Sequence, residues 1–308
     1  MILCAGEALI DMLPIAGAAE QGGFRPHVGG AVFNTAIALG RLGVPAGMLT
    51  GISMDRFGAM LASALEENGV DTAHVARVDR PTTLAFVELK QGHASYLFYD
   101  ENSAGRMLSP QELPPVGEGV SALYFGGISL ACEPCADTYA SLLAGMGDDR
   151  AVTLDPNIRP GFIRDEGRFR QRLDEMLART DIVKVSDEDL AWLHPDPMPQ
   201  RDKVAAVLES GPSLLVMTRG GEGAIAYTAQ GDEVAVPAVP ATVVDTVGAG
   251  DTFNAGVLAS LSEQGLLRKD TLRRLSPEAI GAALRFGARV AAVTVSRAGA
   301  NPPWAREL

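Results

Sequence analysis

The sequence predicts a three-layer α/β/α domain with a mostly parallel central sheet and a small β excursion from it. Three observations predict this. Short apolar runs alternate with amphipathic stretches along most of the 308 residues, as βα units do when they feed a parallel sheet covered on both faces by helices. The composition, 47% hydrophobic and 21% charged, is that of an ordinary globular chain. One stretch breaks the alternation: residues 82–90 and 94–99 flank Gln91-Gly92-His93 and read as a β-hairpin outside the main sheet.

Taken in order, residues 2–10 read as one buried strand. Val32, Ala36, Leu39 and Leu42 recur at helical spacing, and Gly43 ends that helix. Residues 46–51 form a strand, and 55–67 a helix that closes at Asn68-Gly69. After the hairpin, strands at 123–125, 151–154, 181–185 and 214–218 alternate with helices at 135–146 and 169–178, from Asp187 and around Val204. Strands near Ala224 and Val234 and two long helices near Ala249 and Glu278 complete the chain. No internal repeat interrupts it. The stiff loop Pro195-Asp196-Pro197-Met198-Pro199 is too short to divide it, so a single domain is expected over 1–308.

Charge and cysteine usage exclude several classes. A net charge of −12 repels nucleic acid and anionic lipid, so neither is an expected partner. The first residues, Met1 to Glu7, lack a basic segment, and no apolar run of about 18 residues is free of charge. Both features point to the cytoplasm. Cys4, Cys132 and Cys135 do not make a disulfide framework. Cys132-Glu133-Pro134-Cys135 matches C-x-x-C, but the scattered histidines supply no further zinc ligands, so these read as buried thiols.

The chemistry concentrates near the C-terminus. No lysine follows a glycine, so a Walker P-loop is absent, as are the protein-kinase motifs. What is present is Val243-Val244-Asp245-Thr246-Val247-Gly248-Ala249-Gly250-Asp251-Thr252-Phe253. Two valines suggest a strand end, small residues a turn, and an apolar helix follows from about Ala249. The N–H groups of Gly248, Ala249, Gly250 and Asp251 then lie at a helix N-terminus, where unpaired donors and the dipole bind anions. Asp251 itself has two readings: a first-turn acid that stabilises the dipole, or a general base beside a transferring phosphoryl group.

This segment resembles the C-terminal signature of the ribokinase-like (PfkB) carbohydrate kinases. Gly29-Gly30-Ala31-Val32-Phe33-Asn34, running on to Arg41-Leu42-Gly43, resembles the N-terminal signature. The resemblance covers essentially the whole chain and implies an ATP-dependent sugar kinase. It implies that Asp251 is the base and that Gly248, Ala249 and Gly250 form the anion hole for the γ-phosphate. Asp11, Gly29, Gly30 and Asn34 would hold the sugar. Thr218, Gly220 and Gly223 resemble the ATP loop. Ser186 and Asp189 stand where the family has Asn-x-x-Glu, a departure at both positions, with Asp189 supporting Mg²⁺ through water. A K⁺ site would neighbour Asp245 and the 296–299 loop. Residues of about 12–28 and 82–105 would form a lid, and lids of this kind often pair two subunits, implying a homodimer.

The sugar is read from fewer residues. Asp155-Pro156-Asn157-Ile158-Arg159 resembles a segment of bacterial fructokinases and of 2-keto-3-deoxygluconate kinases, with Asn157 on the nucleotide side and Arg159 toward the substrate. Phe98 and Arg106 are further candidates for contact with the sugar. Asp100 and Glu101 disfavour an anionic substrate by Coulomb repulsion, unless Arg106 points inward. The balance favours a neutral ketose, D-fructose first. A sensor that binds sugar without catalysis is the competing reading from another class. A dinucleotide enzyme is excluded because no G-x-G-x-x-G follows the first strand.

Overall fold

The computed structural model describes residues 1–15, 23–90 and 93–308. Gln91 and Gly92, where the hairpin turn is expected, and part of the expected lid (16–22), lie outside the described residues. The elements run β1 (Ile2–Ala5), β2 (Leu9–Pro14), β3 (Phe24–Gly29), α1 (Ala31–Arg41), β4 (Ala46–Ser53), α2 (Arg56–Glu67), β5 (Val70–Asp71), β6 (Val75–Val78), β7 (Leu84–Lys90) and β8 (His93–Tyr99). They continue as β9 (Ala122–Gly126), α3 (Cys135–Gly145), β10 (Ala151–Asp155), α4 (Glu166–Leu177), β11 (Ile182–Ser186), α5 (Asp187–Leu193), α6 (Gln200–Glu209) and β12 (Leu214–Thr218). Last come β13 (Ala224–Thr228), β14 (Glu233–Val236), α7 (Ala249–Glu263), α8 (Lys269–Leu272) and α9 (Pro277–Val295).

The central sheet has the order β14-β13-β12-β11-β10-β9-β1-β4-β5, with β6 also paired to β4. It is parallel from β12 through β4 and turns antiparallel at β13 and β14. β1, β4, β9 and β10 are buried along their whole length. This is why they read as continuous apolar runs rather than alternating ones. The two faces carry separate cores. One packs α1, α7 and α9 through residues such as Phe33, Leu39, Phe253 and Leu284. The other packs α3, α4 and α6 through Tyr139, Leu143, Phe169 and Val207.

A second sheet, ordered β3-β2-β7-β8, stands apart from the first. The hairpin expected at 82–99 is its β7–β8 edge. One expectation is corrected here. Residues 2–10 are two strands in two sheets. The chain leaves β1 at Gly6, and the Glu7 carboxylate accepts the N–H of Ala31 at 3.0 Å and of Ser129 at 3.2 Å. β1 and the first two residues of β2, Leu9 and Ile10, are buried and apolar, so hydrophobicity alone does not reveal the break. Strands β5 and β6, two and four residues long, are likewise too short to read from periodicity.

Candidate active site

The central strands β10, β11 and β12 end on one side of the sheet, the place where open α/β sheets bind ligands. A cleft of about 1530 Å³ lies there, walled on its far side by β2 and by Phe98 of β8. It exceeds the roughly 300–1000 Å³ typical of a single small-molecule site, so two ligands fit side by side.

Helix α7 begins at the cleft. Its N-cap, Gly248, has φ 77°, and a Cβ there would lie 2.6 Å from the Ala300 methyl. Only glycine makes this turn without strain. The first-turn N–H groups of α7 have no intrahelical acceptors, although that of Ala249 is shared with the Thr246 carbonyl at 3.2 Å. Of residues 248–250, where an anion hole is expected, Ala249 therefore has its N–H already engaged.

Asp251 is buried, at 8% exposure, and one of its carboxylate oxygens accepts the Asn34 side-chain N–H at 2.9 Å. Thr35 holds the same turn through the Asp251 carbonyl at 3.2 Å. The helix start α1, carrying Gly30 and Asn34, and the helix start α7 are thus locked face to face. Burial raises the Asp251 carboxyl to about 7. The Asn34 hydrogen bond and Lys184 oppose the rise, while Asp155 and Glu7 add to it. A carboxylate tuned close to neutral pH suits a general base. Asp11, on β2, is likewise raised by burial, to about 6.

Sequence reasoning missed the cation of this site. Lys184 of β11 is buried, and its ammonium meets Asp155 at 3.0 Å. A Cβ on Gly250 would lie 3.4 Å from that nitrogen, so the ammonium stands against the first turn of α7. Burial works to discharge it, but Asp155 and Asp189 outweigh burial and hold it above its usual range. Asn254, one turn into α7, donates to Asp155 at 2.7 Å and to the Tyr124 hydroxyl at 3.2 Å. A signal was available: Lys184 is one of four lysines in the sequence and stands inside an otherwise apolar strand.

Most of the expected residues line the cleft: Asp11, Gly30, Asn34, Phe98, Arg106, Asn157, Arg159, Ser186, Asp189, Thr218 and Asp245, together with 248–251. Their engagements differ. Phe98 packs edge-on against Phe162, with centroids 4.6 Å apart. Arg159 is exposed and turns back to the carbonyls of Asn157 and Ile158, at 3.3 and 3.1 Å. Ser186 and Asp189 cap α5 reciprocally, and the second Asp189 oxygen accepts the Ile158 N–H at 2.8 Å. Asp245 pins its turn, accepting from Val247 at 3.0 Å and from Gly299 at 2.9 Å.

Three expected residues do not line the cleft. Gly29 is packed so that a Cβ would strike the Asp11 carboxylate, a role of close approach rather than of contact with ligand. Gly220 is exposed in its turn. Gly223, at φ 96°, would place a Cβ against the Val236 carbonyl. Both glycines shape the β12–β13 connection.

The three cysteines are free and buried, and burial pushes their thiols up, far from reactive. Among the described residues no group of three or more histidines, cysteines and acids is placed to hold a metal, and no helix is long and apolar enough to cross a membrane.

A buried carboxylate at a helix start, backed by a fixed ammonium in a cleft roomy enough for two ligands, suits a phosphotransferase acting on an alcohol. The chain belongs to the pfkB family of carbohydrate kinases, whose model matches residues 1–306. It is 50% identical over 283 residues to a fructokinase of Rhizobium leguminosarum bv. trifolii, covering 91% of this chain and 85% of that one. Among solved structures it resembles a fructokinase with bound ATP from Xylella fastidiosa, with TM-score 0.88 at 28% identity over 97% of this chain and 93% of that one. It also resembles a Vibrio cholerae O395 fructokinase in fructose-, ADP- and calcium-bound form, with TM-score 0.82 at 25% identity over 97% and 94% of the two chains. The Ser186 and Asp189 departures noted above leave the membership intact.

Proposed function

We propose that this kinase transfers the γ-phosphate of Mg·ATP to a hydroxyl of D-fructose. The observation that carries the reading is the Asn34–Asp251 pair, 2.9 Å apart and set between the anion-binding turn of α7 and the sugar-side wall. A fructose hydroxyl beside Asp251 gives its proton to that carboxylate as its oxygen attacks the γ-phosphorus. The bond from that phosphorus to the ADP oxygen breaks, and ADP departs. The first-turn amides of α7 and the Lys184 ammonium face the charge that develops on the phosphoryl oxygens, which stabilises the transition state more than the ground state.

The nucleotide lies along Asn157, Ser186 and Thr218, at the ends of β10 to β12. Both Asp189 oxygens already accept protein donors, which fits a Mg²⁺ ion held through water rather than by direct ligation. Bound there, such an ion would supply positive charge against the phosphates of the nucleotide. A K⁺ ion beside Asp245 and the 296–299 loop would steady the same turn from behind.

The chain works as one domain over residues 1–308, with the second sheet, built from β2, β3, β7 and β8, closing as a lid that excludes water from the transfer. Phe24, Leu97 and Tyr99 expose 36%, 50% and 55% of their surface on this sheet. An apolar face of this kind favours pairing of two lids in a homodimer.

The test is a panel of sugars with ADP release as readout. D-fructose is expected to give the highest kcat/KM. Faster turnover of 2-keto-3-deoxygluconate or of a nucleoside overturns the assignment.

A further inference from the structure

The loop leaving β8 places two opposite charges on the sugar-side wall of the cleft. Asp100 and Arg106 pair at 2.8 Å, with side chains only 8% and 12% exposed. The arrangement is held from several directions. The Arg106 Nε donates to the Glu133 carbonyl at 3.1 Å, and its backbone N–H meets the Ser103 hydroxyl at 3.3 Å. The Cys132 thiol lies 3.5 Å from the second Asp100 oxygen. The intervening residues cannot drift, because Ala104 donates to the Pro81 carbonyl at 2.9 Å and its own carbonyl packs where a side chain on Gly51 would stand.

Both members of the pair line the same cleft as Asp11, Asn34 and Asp251. The other nearby cations are committed or peripheral. Lys184 is held by Asp155, Arg159 is exposed, and Arg164 stands 3.7 Å from Glu101 with its side chain 73% exposed. The one well-covered guanidinium on the sugar side therefore has its charge cancelled at source, and what remains uncompensated there is carboxylate.

We propose that the Asp100–Arg106 ion pair is the charge filter of the sugar pocket: Asp100 neutralises Arg106, so the pocket accepts an uncharged ketose and rejects a sugar acid. Arg106 keeps its donors for neutral oxygens while losing its pull on a carboxylate. The selectivity against acids is then a property of the pair, not of either residue. This sharpens the expectation from sequence, where Asp100 and Glu101 were to repel an acid unless Arg106 points inward: Asp100 is paired with Arg106 and Glu101 is exposed.

The inference rests on the sugar-kinase reading above, and the experiment separates the two. Purified enzyme is assayed with D-fructose and with 2-keto-3-deoxygluconate, the acid measured both as substrate and as competitive inhibitor. In Asp100→Asn the freed guanidinium raises the acid-to-fructose ratio of kcat/KM by about 10- to 100-fold, the size of one unit charge acting over several ångströms at a protein-surface dielectric. In Arg106→Gln the freed carboxylate moves the ratio, and the inhibition by the acid, the other way.

The double variant Asp100→Asn/Arg106→Gln leaves no unpaired buried charge, so it keeps the stability that a single change lowers. Its ratio stays at the wild-type value. Single variants that lose both substrates equally, or a double variant whose ratio shifts tenfold, overturn the filter. A wild-type enzyme inactive on D-fructose sinks the fructose assignment instead, and the ratio is then read against whichever uncharged sugar is turned over.

Discussion

Replacing Asp251 by asparagine should make the protein more stable and inactive at once. In the folded chain burial holds this carboxyl at about 7 against a reference of 3.8, a rise of about 3 units. The sign follows from proton binding. Between these two values the folded state binds the proton and the unfolded state has released it, so stability falls as pH rises from about 4 to about 7. Above pH 7 the full cost of a buried, uncompensated carboxylate is present. At about 1.36 kcal/mol per unit, that cost is on the order of 4 kcal/mol, an upper figure because some of it relaxes through water in the cleft. Asparagine is nearly isosteric and carries no charge. Asp251→Asn should therefore gain roughly 2–4 kcal/mol at pH 8 and nothing near pH 4. The assay is denaturant unfolding of both proteins across that range, paired with ADP release at pH 8, where turnover should fall at least about 100-fold. Equal stability of the two proteins at pH 8 would refute the claim that the fold holds this carboxylate against its own preference. Unchanged turnover would remove Asp251 from the chemistry.

Three further perturbations separate the roles of its neighbours. Asn34→Ala removes the donor that favours the ionised form of Asp251. The acid limb of kcat/KM against pH should move upward by about one unit, less than the roughly 1.5–3 kcal/mol of a hydrogen bond to a charged group because water replaces part of it; an unmoved limb disproves the coupling. Lys184→Met should lower kcat about 100-fold or more while the KM for fructose stays within about threefold, since the ammonium faces the phosphoryl side; a change confined to the sugar KM contradicts that placement. Gly248→Ala forces a methyl to φ 77° and to 2.6 Å from Ala300, which should cost about 1–3 kcal/mol of stability and at least tenfold in turnover. Wild-type behaviour in thermal unfolding and ADP release would mean the turn tolerates other geometries.

Much of this molecule is legible in the sequence because its signals are local. The Gly248–Asp251 turn announces itself through small residues between a valine pair and an apolar helix. The alternation of runs gives the parallel sheet, and the hairpin stands out by its aromatics. What stays hidden is carried by distance or by burial on both sides. The break at Gly6 joins the buried β1 to the buried start of β2, Leu9 and Ile10, so hydrophobicity does not mark it. The roles of Gly29 and Gly223 depend on the Asp11 carboxylate and the Val236 carbonyl, which other elements bring into place. Ser186 and Asp189 read as metal and phosphate ligands by position, yet their first engagement is with each other, an N-terminal capping box.

Lys184 shows why such a site resists reading from motifs alone. Nothing flanking it in β11 marks it as functional. Its place follows from the parallel register, which sets β10 beside β11 and so brings Asp155 to the ammonium, and from α7, whose Asn254 donates to the same carboxylate oxygen. Asp155 thus ties three elements into one rigid unit beneath the anion-binding turn. The buried acids Glu7, Asp155, Asp189 and Asp251 outnumber the single buried ammonium among them. A free nucleotide polyanion meets net repulsion at such a surface, and a nucleotide half-neutralised by a divalent ion meets less. Burial does most to lift Asp251 toward neutrality, and Asp155 and Glu7 add to it, so the acids that give this surface its negative balance also help tune the Asp251 carboxyl.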